Sequence, residues 1–301
     1  MTKKSKTIVF FGNERLVSGL RVANTFVLDE LIKADYKVAA VVSHHKDSKS
    51  RTNRPLEIAQ TAKVNGIPVF LPQKPVEILD DLIAFQAEVA ILVAYGRIIP
   101  QKIIDIFPRG IVNLHPSLLP KYRGATPIES VILNGESVTG VSIMQLTAGM
   151  DEGPIYAQAT IDLKDTETKF DIYNRLARTG ASLLLKILPS ILDGSLQPAP
   201  QDNSKATYCK PLTKQDSILK PNEVTATQAE RMVRAYLSFP KTKINILGED
   251  IIITKSHVVS KLETPIDILC QDHAYLVIDE LIAPSGKTMN AAAFLRGYKA
   301  N

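Results

Sequence analysis

This sequence of 301 residues has only two cysteines, no tryptophan and no long hydrophobic run. Cys209 and Cys270 fit neither a disulfide framework nor a metal-binding spacing, so we interpret both as reduced thiols. No apolar stretch reaches the roughly 18 residues that a membrane helix needs, and we expect no membrane partner. Thr7–Phe11 follows the basic N-terminus as a short strand-like run rather than a signal-peptide core, which predicts a cytoplasmic protein.

The overall composition is that of a globular protein of about two domains. Its 45% hydrophobic and 22% charged residues exclude intrinsic disorder and low-complexity repeats. The net charge of +5 is shared by many enzymes and does not identify a nucleic-acid-binding protein. Between residues 43 and 54, however, Lys46, Lys49, Arg51 and Arg54 stand against a single acidic residue. On the residues alone, this cluster is also typical of a solvated surface loop.

Short apolar runs alternate with helical patterns through the first two-thirds of the chain. Such runs predict strands at Thr7–Phe11, Lys37–Ser43, Ile67–Leu71, Val89–Ala94 and Ile111–His115. Apolar strands separated by helices form a parallel sheet covered on both faces, so we predict an α/β, Rossmann-like, mostly parallel sheet. Two antiparallel edge strands and a long helix are predicted at Thr139–Leu146, Pro154–Leu163 and Thr168–Leu192.

A polar, proline-containing segment divides the chain. We predict a first domain over 1–193, a linker over 194–206 and a second domain over 207–301. In the second domain, a short helix and alternating strands are predicted at Gln228–Leu237, Lys243–Leu247, Asp250–Thr254 and Ala274–Asp279. Their spacing predicts a small β-barrel or sandwich, and we expect an OB-like β-barrel.

An asparagine and a histidine lie two residues apart at the end of a predicted strand. Alternation along the strand puts Asn113 and His115 on one face. Ligands bind beyond the carboxyl ends of the strands of an open parallel sheet, which is where this pair lies. An amide donor beside an imidazole can hold a developing oxyanion and transfer a proton. A strand end can also carry such a pair for backbone hydrogen bonding alone.

Asp151 lies in a glycine-flanked loop directly after the strand predicted at Thr139–Leu146. At that position its carboxylate could steer or accept a proton near His115, although Asp-Glu-Gly is also typical of an exposed turn. The first strand ends at a lone Gly12, without a G-x-G-x-x-G or P-loop pattern, which argues against a dinucleotide or NTP site. The sequence has no metal-ligand cluster, and we predict no metal.

Together these residues resemble the folate-dependent formyltransferases. The match consists of Asn113-x-His115, the segment from Ser117 to Gly124 (SLLPKYRG), and Asp151. The resemblance implies transfer of a formyl group from 10-formyltetrahydrofolate to an amine. It implies that Asn113 and a protonated His115 polarise the formyl oxygen, while Asp151 keeps His115 charged and helps to remove the amine proton. It also implies folate contacts for Ser117, Leu118, Leu119, Pro120, Lys121, Tyr95 and Gly96.

Branches of this family differ in how much of the chain they resemble. The glycinamide ribonucleotide branch is similar to the first domain only. The branch that acts on methionyl-tRNA is similar from about Thr7 to Lys299, including the C-terminal segment PSGKTMNAAAFLRGYK. That resemblance implies initiator methionyl-tRNA as the acceptor. We expect a monomeric protein. It implies tRNA contacts for Lys46, Lys49, Arg51, Arg54 and Arg123.

Two departures from the family pattern are visible. Gly12-Asn13-Glu14 stands where relatives have Gly-Thr-Pro, and the Pro-Trp-Pro region of relatives is Ser238-Phe239-Pro240 here, in a chain without tryptophan. Two alternative functions therefore stay open. One is formyl transfer to a small amine, such as an amino sugar nucleotide, which would lack the salt dependence of tRNA binding. The other is a non-catalytic folate- or RNA-binding protein.

Overall fold

A seven-stranded sheet forms the centre of the N-terminal part of the protein. The computed structural model describes residues 7–17, 19, 25–44 and 56–298. The strands up to residue 165 are β1 (Thr7–Gly12), β2 (Lys37–Val42), β3 (Val69–Phe70), β4 (Val89–Val93), β5 (Ile111–His115), β6 (Arg123–Gly124), β7 (Val138–Gln145) and β8 (Ile155–Asp162). The sheet order is β3-β2-β1-β4-β5-β7-β8, with β6 outside it.

The direction of the strands follows from how they are connected. β3, β2, β1, β4 and β5 run parallel, whereas β7 and β8 are antiparallel and form the far edge. The central strands β1, β4 and β5 are buried along their whole length, as expected for a sheet covered on both faces. The predicted mostly parallel sheet with antiparallel edge strands is confirmed. The strand predicted at Ile67–Leu71 is shorter, because only Val69–Phe70 pairs with β2.

Helices cover both faces of this sheet. They are α1 (Phe26–Lys33), α2 (Glu57–Val64), α3 (Leu79–Ala84), α4 (Gln101–Ile104), α5 (Pro127–Leu133) and α6 (Lys169–Asp193). The long helix α6 begins at a capping box formed by Thr168 and Asp171, and it ends at Gly194 in the left-handed conformation. Its apolar stripe, which includes Ile172 and Leu176, joins the hydrophobic core on one face of the sheet.

The C-terminal part is a smaller antiparallel β domain. After β9 (Tyr208–Cys209), its elements are α7 (Ala226–Tyr236), β10 (Thr242–Ile246), β11 (Glu249–Val259), β12 (Ile268–Leu269), β13 (Tyr275–Ile282), β14 (Thr288–Asn290) and α8 (Ala291–Gly297). The pairing order is β10-β11-β13-β12, with β14 beside β13. A core of its own contains Ile251, Leu276 and Phe294. The predicted smaller β domain after the α/β domain is confirmed.

Residues 194–206 run along the N-terminal sheet. Ala199 pairs with Ile155 of β8, and β9 then pairs in parallel with β6. The two parts also share a buried polar contact, because Lys169 Nζ at the start of α6 donates to the carbonyl of Phe239, 2.9 Å away. No helix among the described residues is long and apolar enough to cross a membrane.

Candidate active site

The carboxyl ends of β1, β4 and β5 meet at one edge of the sheet, where the chain leaves β1 through a close approach to β4. A Cβ at Gly12 would lie 1.8 Å from the carbonyl oxygen of Val93, so only glycine fits there. The N–H groups of Asn13 and Glu14 both donate to that oxygen at 3.3 Å. The Glu14 carboxylate accepts from the backbone N–H groups of Val27 and Leu28 at the start of α1. Burial raises the pKa of Glu14 to about 8, against the effect of these two donors.

Strand β5 presents Asn113 and His115 side by side. They are 6% and 4% exposed, and both line a cavity of about 280 Å³ at this edge of the sheet. Among the described residues, no hydrogen-bond partner holds the Asn113 amide. Its two N–H bonds are therefore available to a molecule in the cavity.

The orientation of His115 is fixed by a backbone carbonyl. Its Nε2 lies 3.0 Å from the carbonyl oxygen of Tyr122, and because a carbonyl only accepts, Nε2 carries the hydrogen. Its Nδ1 lies 3.6 Å from Asp151 Oδ1. Of the two ring nitrogens, Nδ1 is thus the one that can exchange a proton with a ligand.

The loop after β7 brings Asp151 to this pair. Asp151 has a φ of 51°, in the left-handed region, and its Oδ2 accepts from the N–H of Gly124 at 2.9 Å. Gln201 Nε2 donates to the carbonyl oxygens of Asp151 and Gly153 at 2.8 and 2.7 Å. These contacts hold a negatively charged group opposite an imidazole and an amide donor.

The remaining wall of the cavity is largely apolar and includes Leu92, Ala94 and Leu114. Of the residues expected to contact folate, Tyr95 and Gly96 line it, directly after β4. Burial raises the pKa of Tyr95, so its phenol stays neutral near pH 7. The arrangement suits a reaction in which charge develops on one oxygen and a proton moves locally.

The structure shows where the loop that follows β5 lies relative to this cavity. It does not bring Ser117, Leu118, Leu119, Pro120 or Lys121 to the lining of this cavity. The loop turns inward: Ser117 is fully buried, its hydroxyl donates to the Lys121 carbonyl at 2.6 Å, and the Leu119 N–H donates to Ser142. Lys121 lines a different cavity, together with Tyr208 and Lys210.

Arg123 is also engaged within the protein. It is 1% exposed, and its guanidinium donates to Gln201 at 2.8 Å and to Asn203 at 2.6 Å. A phosphate contact would need displacement of these partners, so Arg123 is placed to hold residues 201–203 against the active-site loop. The other four residues expected to contact tRNA lie outside the described residues; they are Lys46, Lys49, Arg51 and Arg54.

The sequence interpretation missed two residues of this region. Arg15 lines the cavity from the loop after β1, and Gln201 supports Asp151 from the predicted linker. The position of Arg15 just beyond the carboxyl end of a central strand could have indicated it. No local pattern marks Gln201, because its partners are about fifty residues away along the chain.

Comparisons with known proteins agree with this architecture. Residues 15–188 match the model of the formyl transferase family, and residues 211–299 match the model of the formyl transferase C-terminal domain. The chain belongs to the formyl transferase family. The Asn113–His115–Asp151 group thus lies in the N-terminal domain of a formyl transferase.

Several relatives are named methionyl-tRNA formyltransferase, and two of them show the extent of the match. That of Chloroflexus aggregans is 41% identical over 217 residues, covering 71% of this chain and 70% of the relative. That of Lactobacillus acidophilus is 35% identical over 289 residues, covering 90% and 91%.

Solved structures show the same fold. HypX from Aquifex aeolicus, solved with tetrahydrofolic acid, has a TM-score of 0.68 at 16% identity; the match covers 97% of this formyl transferase and 47% of HypX. An N-formyltransferase from Helicobacter canadensis, solved with folinic acid and dTDP-3-aminofucose, has a TM-score of 0.66 at 20% identity, covering 90% and 97%.

Proposed function

We propose that this formyl transferase transfers the formyl group of 10-formyltetrahydrofolate to the amino group of methionyl initiator tRNA. The main support for this proposal is the 41% identity, over 71% of the chain, with a relative named methionyl-tRNA formyltransferase. The geometry supports the chemistry, because Asn113, His115 and Asp151 converge on one cavity.

The cavity fits the reacting end of a folate formyl donor. Its volume of about 280 Å³ is near the lower end of ligand pockets, so it holds the reacting groups while the rest of each substrate lies outside. Tyr95 and Gly96 provide a partly apolar wall for a flat ring. The unengaged Asn113 amide supplies the donor that a formyl oxygen needs.

Asn113, His115 and Asp151 each have a separate role in the proposed reaction. The Asn113 amide and the protonated Nδ1 of His115 donate to the formyl oxygen while the methionyl amine forms the new C–N bond. Asp151, 3.6 Å from His115 Nδ1, balances the imidazolium charge and accepts the proton that the amine loses. The oxyanion then re-forms the C=O bond, the C–N bond to the folate nitrogen breaks, and that nitrogen takes up the proton that Asp151 accepted.

The acceptor tRNA needs a positively charged surface. In the C-terminal part, Lys210, Lys243 and Lys255 are exposed and can meet phosphates. Arg234 is not available in the same way, because it pairs with Glu230 and donates to the Glu167 carbonyl. Since Asn113, His115 and Asp151 all come from one chain, we expect a monomer, working in the cytoplasm where initiator tRNA is used.

A direct assay tests this function. Purified protein is given 10-formyltetrahydrofolate with initiator methionyl-tRNA, elongator methionyl-tRNA or a dTDP-linked amino sugar. We expect formylmethionyl-tRNA with the initiator, and binding that weakens steeply with salt. Formylation of the sugar nucleotide alone, or of no acceptor, would show that the proposed acceptor is wrong.

A further inference from the structure

Arg15 stands out among the residues that line the catalytic cavity. Of the described lining residues, it is the only one with a permanent positive charge, and it faces the same space as Asn113, His115 and Asp151. In the proposed mechanism Asp151 and the protonated His115 balance each other, so an anionic group bound in this cavity needs a further cation. Arg15 is the residue in place to do so.

The backbone that carries Arg15 is held firmly. Its N–H donates to Asn13 Oδ1 at 3.0 Å, and the preceding residue, Glu14, is fully buried against the start of α1. Glu14 has a φ of 57°, which this anchoring has to maintain. The side chain of Arg15 is therefore presented to the cavity from a fixed base.

The guanidinium itself is only partly engaged. Its Nη2 pairs with Glu57, the first residue of α2, and the two side chains are 34% and 27% exposed. An ion pair with this much exposure contributes little, so it can be exchanged. Arg15 Nε is covered by protein and has no acceptor among the described residues. A covered donor without such an acceptor, on a residue that lines a ligand cavity, needs a partner, and an oxyanion bound to the guanidinium is one that fits.

We propose that Arg15 binds an oxyanion of one of the two substrates, exchanging Glu57 for that group. The inference rests on the proposed function, which brings two anionic molecules to this cavity. The oxyanion is either a phosphodiester next to the aminoacyl end of tRNA or a carboxylate of the folate glutamate tail. Both suit the planar guanidinium, which binds such groups through two parallel hydrogen bonds.

Direct binding measurements test this assignment without requiring turnover. Wild type, Arg15→Gln and Arg15→Lys are titrated with methionyl-tRNA and with tetrahydrofolate carrying one or three glutamates. Arg175→Gln is the matched control, because Arg175, on α6, is a half-exposed arginine paired with Glu167. Thermal unfolding checks that each variant is folded.

We expect Arg15→Gln to weaken binding of one substrate by about 10-fold or more, as for loss of a charged hydrogen bond. Arg15→Lys keeps part of the affinity, and Arg175→Gln behaves as wild type. Weaker tRNA binding with a salt slope smaller by about 1 identifies a phosphodiester. Weaker folate binding, with a larger loss for the triglutamate, identifies a carboxylate. Glu57→Gln should tighten binding of the same substrate, because it frees Arg15.

Unchanged affinity of Arg15→Gln for both substrates, or equal losses in the Arg15 and Arg175 variants, overturns the assignment. The wild-type formylation assay decides the proposed function separately. If wild type formylates no tRNA and binds none, the function fails, and the phosphodiester source fails with it. The folate titration then still decides whether Arg15 binds an oxyanion.

Discussion

His115 Nε2 donates to the backbone carbonyl of Tyr122, 3.0 Å away. Tyr122 is held from several sides: its N–H donates to Thr207 Oγ1 at 2.8 Å, and its hydroxyl donates to Glu136 at 2.5 Å. The carbonyl is therefore a fixed acceptor that locks the imidazole ring. Because Nε2 is committed to it, Nδ1 is left for chemistry, facing Asp151.

The first prediction concerns His115. In His115→Asn no ring nitrogen can transfer a proton, so kcat should fall by roughly 10²-fold or more, with tRNA affinity nearly unchanged. The control is His273→Asn, since His273 is exposed, has a φ of 59° that asparagine tolerates, and lies in the C-terminal domain. Steady-state formylation and tRNA binding are measured for both. Full activity of His115→Asn would contradict the proposed mechanism.

Asn113 gives the second prediction. Removing its amide in Asn113→Ala removes one donor to the formyl oxygen, so kcat should fall by about 10²–10³, which is roughly 2.7–4 kcal/mol of transition-state stabilisation. The kcat of Asn113→Asp should fall further, because the aspartate side chain has the same shape but its negative charge opposes the charge that develops on the formyl oxygen. Asn245→Ala is the control, because Asn245 is an exposed residue of β10. If Asn113→Ala raised only KM, the amide would bind substrate without stabilising the transition state.

Much of the fold could be predicted from the sequence because its signals are local. Apolar runs and their spacing predicted the parallel strands, and Thr168 predicted the start of α6 to within one residue. The Asn113 and His115 positions follow from strand alternation, which holds wherever a strand forms. Their proximity to Asp151 was expected from resemblance, and the 3.6 Å distance is a product of the tertiary fold.

The contacts that the sequence did not predict are long-range. Arg15 meets Glu57 across 42 residues, and Gln201 meets Asp151 across 50. The position of residues 117–121 outside the cavity lining has a different cause. A strand end predicts that the chain leaves the sheet, but not whether the following loop opens toward the cavity or, as at Ser117, closes on itself.

The third prediction is a pH dependence of stability caused by Glu14. Its pKa is raised by burial from 4.5 to about 8, so between these values the folded state holds a proton that the unfolded chain has released. The free energy of unfolding should therefore fall as pH rises from about 4.5 to 8, by up to about 1.4 kcal/mol per pH unit, and then level off.

Glu14→Gln removes this titration. In denaturant unfolding at several pH values, the stability of wild type relative to Glu14→Gln should decline across that range. Glu77→Gln, an exposed glutamate, is the control and should give a constant difference from wild type. Parallel curves for wild type and Glu14→Gln would show that Glu14 does not bind an extra proton in the folded state.

The last prediction concerns Gln201 as a positioning residue for Asp151. Its amide donates to the Asp151 and Gly153 carbonyls while its oxygen accepts from Arg123, so it joins the loop after β7 to residues 201–203. Gln201→Ala should lower kcat by roughly 10-fold or more, with little change in KM, because a small displacement of a catalytic group is costly. Gln201→Glu keeps the acceptor for Arg123 but loses both donors, so it should preserve stability better than activity.

Gln197→Ala, which removes only an exposed hydrogen bond to the Gly194 carbonyl, is the matched control. If both Gln201 variants lost stability and activity to the same extent, Gln201 would be a purely structural residue. If the kcat of Gln201→Glu falls by more than its loss of stability explains, Gln201 holds Asp151 in place.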